Sequence, residues 1–468
     1  MCFYKRGANP VPAYAAVMRL PPGPATPAAV QTIEWVARPT DLLRRSAARF
    51  GEPFTLRTLW ADTPMVLVSD PEAVKRIYAA PPEALRGGAS STVLEPFAGP
   101  SSILLTSGEA HMRQRKLMLP PFHGERMEAH RATVAALAEA ELARWQPGRP
   151  LRTLPRMQEL TLDVILRVVL GAPDSQLRAA IRDALDMTTS LPRLIALSLA
   201  PRGTPPWRPF EHAVARVDAL LRAAIRARRA ATAGEASRAA AAGGREPGPV
   251  IDDLIAAGST EDELRDQVVT LLAAGHETTA GSLAWALERL ARHPGVVARL
   301  RDGDGAYLDA TVKEVLRIRP VLSITPRKVV EPFEAGGWTL PPGVHVTPCL
   351  YLAHRRPELW PDPTAFLPER FLDGAPAPYS WLPFGGGVRR CAGAAFATME
   401  LHEVLRAVVR RFDLRPDRPA GERMRRRGVT LAPSRGGRVV PLAFAGRPVP
   451  ADEVGWVRSW LGTSPGRP

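Results

Sequence analysis

Between Thr260 and His293 the sequence reads as one unbroken helix, and a helix of that length sets the scale of whatever folds around it. Thr260 with Glu263 three residues on predicts a capping box, in which hydroxyl and carboxylate each satisfy an otherwise orphaned N–H. His293-Pro294-Gly295 predicts the stop. At ~1.5 Å per residue, a helix over about 261–292 would run nearly 50 Å, the width of a whole domain. A helix-rich fold arranged around this element is expected.

The flanking sequence agrees. Helical periodicity recurs at about 126–145, 155–170 and 210–230, over Tyr307–Arg319 ahead of Pro320, and at about 394–412. Apolar runs at Phe54–Leu59, Met65–Val68 and through 325–348 predict short strands. Asp70-Pro71 predicts a capped helix start. Residues 88–106 read as a long loop carrying apolar groups, and loops of that length are often functional. Residues 231–249, ATAGEASRAAAAGGREPGP, are low in complexity and read as a mobile loop. Residues 1–17 read as an extension ahead of Met18, an alternative start, and 446–468 as a Pro/Gly-rich tail. No internal repeat is evident, and length alone, at about 150 residues per domain, would suggest two or three domains.

Composition excludes several classes. Charged residues are 23% of the chain, close to the globular norm of about 25%, so wholesale disorder is not expected. The net charge of +15 could serve docking to an acidic partner or reflect an Arg-rich proteome. Neither zinc-finger spacing nor an aromatic RNA-binding signature accompanies it, which argues against nucleic acid. The three cysteines, Cys2, Cys349 and Cys391, are too few for a disulfide framework and fit a reducing cytoplasm. Lys5 and Arg6 are followed by Pro10 and Pro12, a poor signal peptide. No run has the ~18 uncharged apolar residues of a membrane span.

The sharpest chemical signal is Phe384-Gly-Gly-Gly-Val-Arg-Arg-Cys391-Ala-Gly393. Glycines let a loop approach a flat ligand without a Cβ clash. The helix predicted just after Cys391 turns free N–H groups and its positive end toward the sulfur, favouring a thiolate ligand. A phosphate loop is a poorer fit, since no Gly-Lys-Ser/Thr follows. Inside the long helix stands Ala274-Gly-His-Glu277-Thr278-Thr279. Gly275 costs roughly 1 kcal/mol against alanine there, which predicts a local distortion. His276-Glu277 does not begin a zinc-protease motif, because position 280 is alanine. A third pattern, Glu314-x-x-Arg317, puts two charges on one helix face ahead of Pro368-Glu-Arg370-Phe371.

Together these motifs resemble those of the cytochrome P-450 family, and the similarity runs from about Leu20 to Phe444. The resemblance implies a single domain over 18–445 with a mainly α fold and a small β-rich lobe, the triangular-prism fold, with the long helix over a haem and the cysteine loop beneath it. It implies haem b with Cys391 as axial iron ligand, framed by Phe384, Gly387 and Gly393. His111, Arg115, Arg327 and Arg389 are the implied cations for the propionates; many relatives have tryptophan where His111 stands. Glu277 and Thr278 are the implied acid–alcohol pair for proton delivery. Thr279, and Thr278 as well, would otherwise only bond to a preceding carbonyl. Glu314, Arg317 and Arg370 are implied to form a buried structural network, and His354 lies in a structural segment. Cys349 reads as an inert core thiol.

Position matching places the substrate pocket at Val93, Leu94, Val268, Leu272, Ala273, Leu322, Ile324 and Thr430. Their mostly apolar character implies a lipophilic substrate, a fatty acid, terpenoid or steroid-like molecule. The expected reaction is insertion of one oxygen atom from dioxygen. Electrons would come from NAD(P)H through a separate ferredoxin- or flavodoxin-like donor, docked near Arg113, Lys116 and Arg390. A soluble, cytoplasmic, monomeric bacterial type is expected, with no nucleic-acid partner and no membrane anchor. A non-catalytic haem sensor, a peroxide-driven haem enzyme and a non-oxidative haem isomerase or dehydratase are the alternatives.

Overall fold

The computed structural model describes residues 19–444 apart from 60–62, 92–93, 123, 125, 172–173, 188–191, 194–195, 198–199, 201–202 and 243–247. In the helix ending at Ala242, side chains are described as far as residue 232. The sequence-defined extension at 1–17, the tail at 446–468 and the pocket candidate Val93 lie outside the described residues.

The central helix runs Glu261–Leu290, opened by the capping box: Glu263 donates its N–H to Thr260 Oγ1 at 3.2 Å, and Thr260 donates its own to Glu263 Oε2 at 3.0 Å. The central helix ends just ahead of His293-Pro294-Gly295, as expected, and a separate helix, Pro294–Arg301, follows. The helix Thr153–Leu170 lies most extensively along the central helix. Helices Arg208–Ala242, Gly305–Ile318 and Ala394–Arg411 and the strand Thr430–Pro433 also pack on it. Trp285 is fully buried and donates its indole N–H to Leu431 O at 3.2 Å.

Two expectations are corrected. No break interrupts the helix, which is continuous through Gly275. A Cβ at that position would stand 2.9 Å from Ile165 Cδ1, so the glycine admits the neighbouring helix. The mobile loop expected at 231–249 is helical through Ala242. Its alanine run, read as low complexity, has the highest intrinsic helix propensity.

The β structure is gathered in small sheets. One sheet orders Phe54–Leu56, Met65–Val68, His345–Pro348, Arg327–Val329 and Leu85–Arg86, with the second and third strands parallel (Met65 opposite His345) and the other pairs antiparallel. This sheet carries Arg327 on a strand whose position is fixed on both sides. The hairpin Met424–Arg427/Thr430–Pro433 leans on both the central helix and the N-terminal helix Ala28–Ala37. Asp70 caps the helix Pro71–Ala79 by accepting from Ala73 N–H, as Asp70-Pro71 predicted.

Candidate active site

The cysteine loop is a tight structure clamped against the helix Pro71–Ala79. Gly385 and Gly387 have φ of 67° and 63°, a region that penalises any Cβ. A Cβ at Gly387 would also meet Tyr78 O at 2.3 Å. Cys391 N–H closes the loop on Phe384 O at 2.9 Å. Phe384 is half-buried and packs edge-on against Trp381. Gly393 immediately precedes the helix Ala394–Arg411.

Cys391 itself is exposed. Burial of its surroundings pushes the thiol above its ordinary value, while the Gly393 N–H and the Arg390 and Arg115 guanidinium groups oppose that. The helix start alone therefore does not outweigh burial; a metal ion at the sulfur would deprotonate it outright.

Around this loop stand cations without carboxylates. Arg389 donates to Thr106 O at 2.7 Å, Leu104 O at 2.9 Å and Ile103 O at 3.0 Å. Arg115 donates to Arg390 O at 2.7 Å, and Arg327 to Pro326 O at 2.9 Å. Among the described residues none of the three is in an ion pair. Burial lowers all three, Arg389 to about 10, and mutual repulsion with Arg327 and Arg115 adds to the effect at Arg389. Burial, then Arg389, Arg115 and Arg327, push the buried His111 down to about 4. Collecting positive charge without counter-charge in a partly buried place is costly unless an anion completes it. The haem propionates are two carboxylates, so these residues fit that group.

On the central helix Ala274 is exposed, Gly275, Glu277 and Thr278 are half-buried, and Thr279 is buried. Thr278 donates its hydroxyl to Ala274 O at 2.6 Å. Glu277 accepts from Gln158 Nε2 at 2.7 Å and from Arg427 Nε at 2.6 Å. His276 is buried, with its Nδ1 3.0 Å from the Thr161 hydroxyl.

The helical phase corrects two pocket candidates. Val268 and Leu272 are 0% exposed in the main core. At about 100° per residue, Leu272 lies roughly 160° around the helix from Ala274, so these two pack and do not line open space. The face carrying Ala274 and Thr278 continues instead to the partly exposed Leu271, and following that phase from Thr278 would have found it. Gln267 ties the 99–106 segment to the helix by donating to Ser101 O at 2.6 Å. Leu94, Ala273, Leu322 and Ile324 are partly exposed, while Thr430 is buried and donates to Arg427 O at 2.9 Å. Arg113 is paired with Glu263; Lys116 and Arg390 are exposed.

Beneath the site, Arg317 and Glu314 form a fully buried fork at 2.6 and 2.8 Å. Glu314 Oε1 also accepts from Leu367 N–H at 2.9 Å and Arg370 Nε at 3.3 Å. Arg317 donates on to the carbonyls of His354, Pro363 and Ala365. His354 accepts the Leu382 N–H at 2.7 Å, which links this network to the segment leading into the cysteine loop. Cys349 is buried, and burial raises its thiol far above the ordinary range.

An exposed thiol on a glycine-rich loop, with unpaired arginines nearby, suits a haem-thiolate site. Comparison with known proteins agrees. The family described as Cytochrome P450 matches residues 21–437. Cytochrome P450 135B1 of Mycobacterium tuberculosis is 38% identical over 443 residues, covering 90% of this chain and 91% of that protein. Cytochrome P450 135A1 of the same organism is 36% identical over 438 residues, covering 90% and 95%. Among solved structures, retinoic acid-bound cyanobacterial CYP120A1 superposes with a TM-score of 0.80 at 22% identity, covering 91% of this chain and 100% of that one. CYP175A1 from Thermus thermophillus gives 0.70 at 26% identity, covering 86% and 95%.

The chain belongs to the cytochrome P450 family. Its members are haem monooxygenases with a cysteine thiolate on the iron, using dioxygen and electrons from redox partners. The mainly helical fold with small sheets is the P450 fold. Among the described residues no helix is long and apolar enough to cross a membrane.

Proposed function

We propose that this protein is a haem b monooxygenase that inserts one oxygen atom into a lipophilic substrate, with Cys391 as the iron ligand. The observation that carries the reading is the juxtaposition of the exposed Cys391 with Arg115, Arg327 and Arg389, cations that lack any carboxylate partner among the described residues, and with His111 as a neutral hydrogen-bond donor beside them. Balanced, the reaction is RH + O2 + NAD(P)H + H⁺ → ROH + H2O + NAD(P)⁺. When bound, the haem supplies dioxygen activation, and thiolate donation favours O–O cleavage.

The chain's own residues do the rest. The three arginines and His111 would hold the propionates if haem were bound. Gly385 and Gly387 keep the loop low enough for a flat ring to approach the sulfur. Thr278, hinged on the Ala274 carbonyl, holds a hydroxyl at the open face of the central helix. Glu277, one residue before, is the proton source behind it. Arg390, Lys116 and the rim of Arg113 offer a basic face to an acidic ferredoxin- or flavodoxin-like donor carrying electrons from NAD(P)H. The proposed setting is a cytoplasmic monomer. Leu94, Ala273, Leu322 and Ile324 supply apolar surface for a fatty acid, terpenoid or steroid-like substrate.

The test is a titration of the ferric holoprotein with palmitate, limonene and progesterone, read as the haem spin-state shift. A saturable shift with at least one is expected. Silence toward all three, with unaltered binding of carbon monoxide, overturns the lipophilic substrate class and favours a non-catalytic haem binder.

A further inference from the structure

Glu277 is held from outside its own helix. Gln158 of the helix Thr153–Leu170 donates to Oε2, and Arg427 of the hairpin Met424–Arg427/Thr430–Pro433 donates its Nε to Oε1 at 2.6 Å. The same guanidinium donates an Nη to Asp186 Oδ1 at 2.9 Å. One arginine thus joins the central helix, the C-terminal hairpin and the end of the helix Ser175–Asp186. Exposure rises steadily along this line, from 13% for the Glu277 side chain to 21% for Arg427 and 55% for Asp186. Asp186 in turn borders a cavity of about 430 Å³, whose lining includes Asp183, His212 and Arg216.

Of the remaining titratable neighbours, the two arginines are engaged elsewhere. Arg178 is engaged with Asp163 at 3.2 Å, and Arg216 faces Asp183 at 3.6 Å. His276 Nε2 is 4.0 Å from Glu277 while its other nitrogen faces Thr161. Both Glu277 oxygens are taken by Arg427 and Gln158, and Thr278 is turned to Ala274 O. A carboxyl group that passes protons inward must be refilled from solvent and returned to the same place in every cycle.

We propose that Arg427 is the positioning residue for Glu277, and that protons reach Glu277 from the cavity bordered by Asp186. The inference rests on the reading of Glu277 as the inner proton source. Arginine does not release its own proton in proteins. Arg427 holds two carboxyl groups on one line from solvent to the central helix, and the protons travel on water and carboxyl oxygens.

The experiment compares holoprotein variants Arg427→Ala, Arg427→Lys, Asp186→Asn and Glu277→Gln. NADPH is supplied through a surrogate ferredoxin and its reductase. The rate of NADPH consumption, its solvent deuterium isotope effect, and haem content are measured for each. Slowed proton delivery lowers the rate and raises the isotope effect together, which a packing defect does not do. Arg427→Ala and Glu277→Gln should each slow consumption about tenfold and roughly double the isotope effect at unchanged haem content. Arg427→Lys should restore most of the rate, and Asp186→Asn should fall between. A wild-type isotope effect in Arg427→Ala, beside a raised one in Glu277→Gln, overturns this inference and leaves the reading of Glu277 intact. A wild-type value in Glu277→Gln overturns that reading itself. If Arg427→Ala fails to load haem, the half-exposed Asp186 carries the test: an unchanged isotope effect in Asp186→Asn overturns the proposal.

Discussion

Arg317 grips both carboxylate oxygens of Glu314, at 2.6 and 2.8 Å, with neither side chain exposed. Arg317 further donates to three carbonyls, and Glu314 accepts from Leu367 and Arg370, so neither charge has an alternative partner in solvent. Removing one partner strands the other. Glu314→Gln is expected to cost about 3–5 kcal/mol, measured by urea denaturation of the holoprotein, with loss of haem during purification. A variant with wild-type midpoint and haem content would contradict the structural role of this fork.

Gly387 combines a positive φ of 63° with a Cβ position 2.3 Å from a backbone oxygen, Tyr78 O. Backbone cannot swing aside as a side-chain end can. Gly387→Ala should therefore shift the cysteine loop, costing about 1–3 kcal/mol and weakening haem retention. Gly275→Ala should be far milder, since its obstacle is the tip of Ile165 and alanine gains helix propensity. Equal losses in the two variants would refute this ranking.

The difference between those glycines shows what the sequence can and cannot carry. The capping box at Thr260 and Glu263, the Asp70-Pro71 start and the cysteine loop were legible because each is a local pattern with a local cause. Gly275 was misread as a helix fault, because its reason lies on Ile165, more than a hundred positions away. Val268 and Leu272 were assigned to the pocket although their helical phase turns them about 120° and about 160° away from Ala274. Arg427 stood unnoticed in an arginine run; only the fold brings it to Glu277. Composition misled at 231–242, where an alanine run taken for a loop continues a helix.

His354 supplies a pH prediction. Its Nε2 accepts the Leu382 N–H, so the ring must stay neutral, and burial lowers it to about 3. Between the ordinary value near 6.5 and about 3, the unfolded chain binds a proton that the folded one refuses. Stability contributed here is full above 6.5 and is lost as pH falls toward 3, by up to about 1.4 kcal/mol per pH unit. His354→Gln should be less stable at pH 7 and show a shallower acid limb in chemical denaturation. An identical acid limb would exclude His354 as its source.

The propionate cations predict graded haem loss. Arg389 holds three carbonyls of the 103–106 segment and repels Arg327 and Arg115 until an anion joins them. Arg389→Gln removes charge-assisted bonds worth about 1.5–3 kcal/mol each, so haem should pass to apomyoglobin roughly 10- to 100-fold faster. Transfer at the wild-type rate would mean the propionates lie elsewhere.

Thiolate ligation by Cys391 is tested most directly by the carbon monoxide difference spectrum of the dithionite-reduced protein. A Soret band shifted far to the red, as thiolate-ligated ferrous haem gives, is expected in the wild type and absent in Cys391→Ala. A histidine-type band in undamaged wild-type protein, or the red-shifted band surviving in Cys391→Ala, would contradict it.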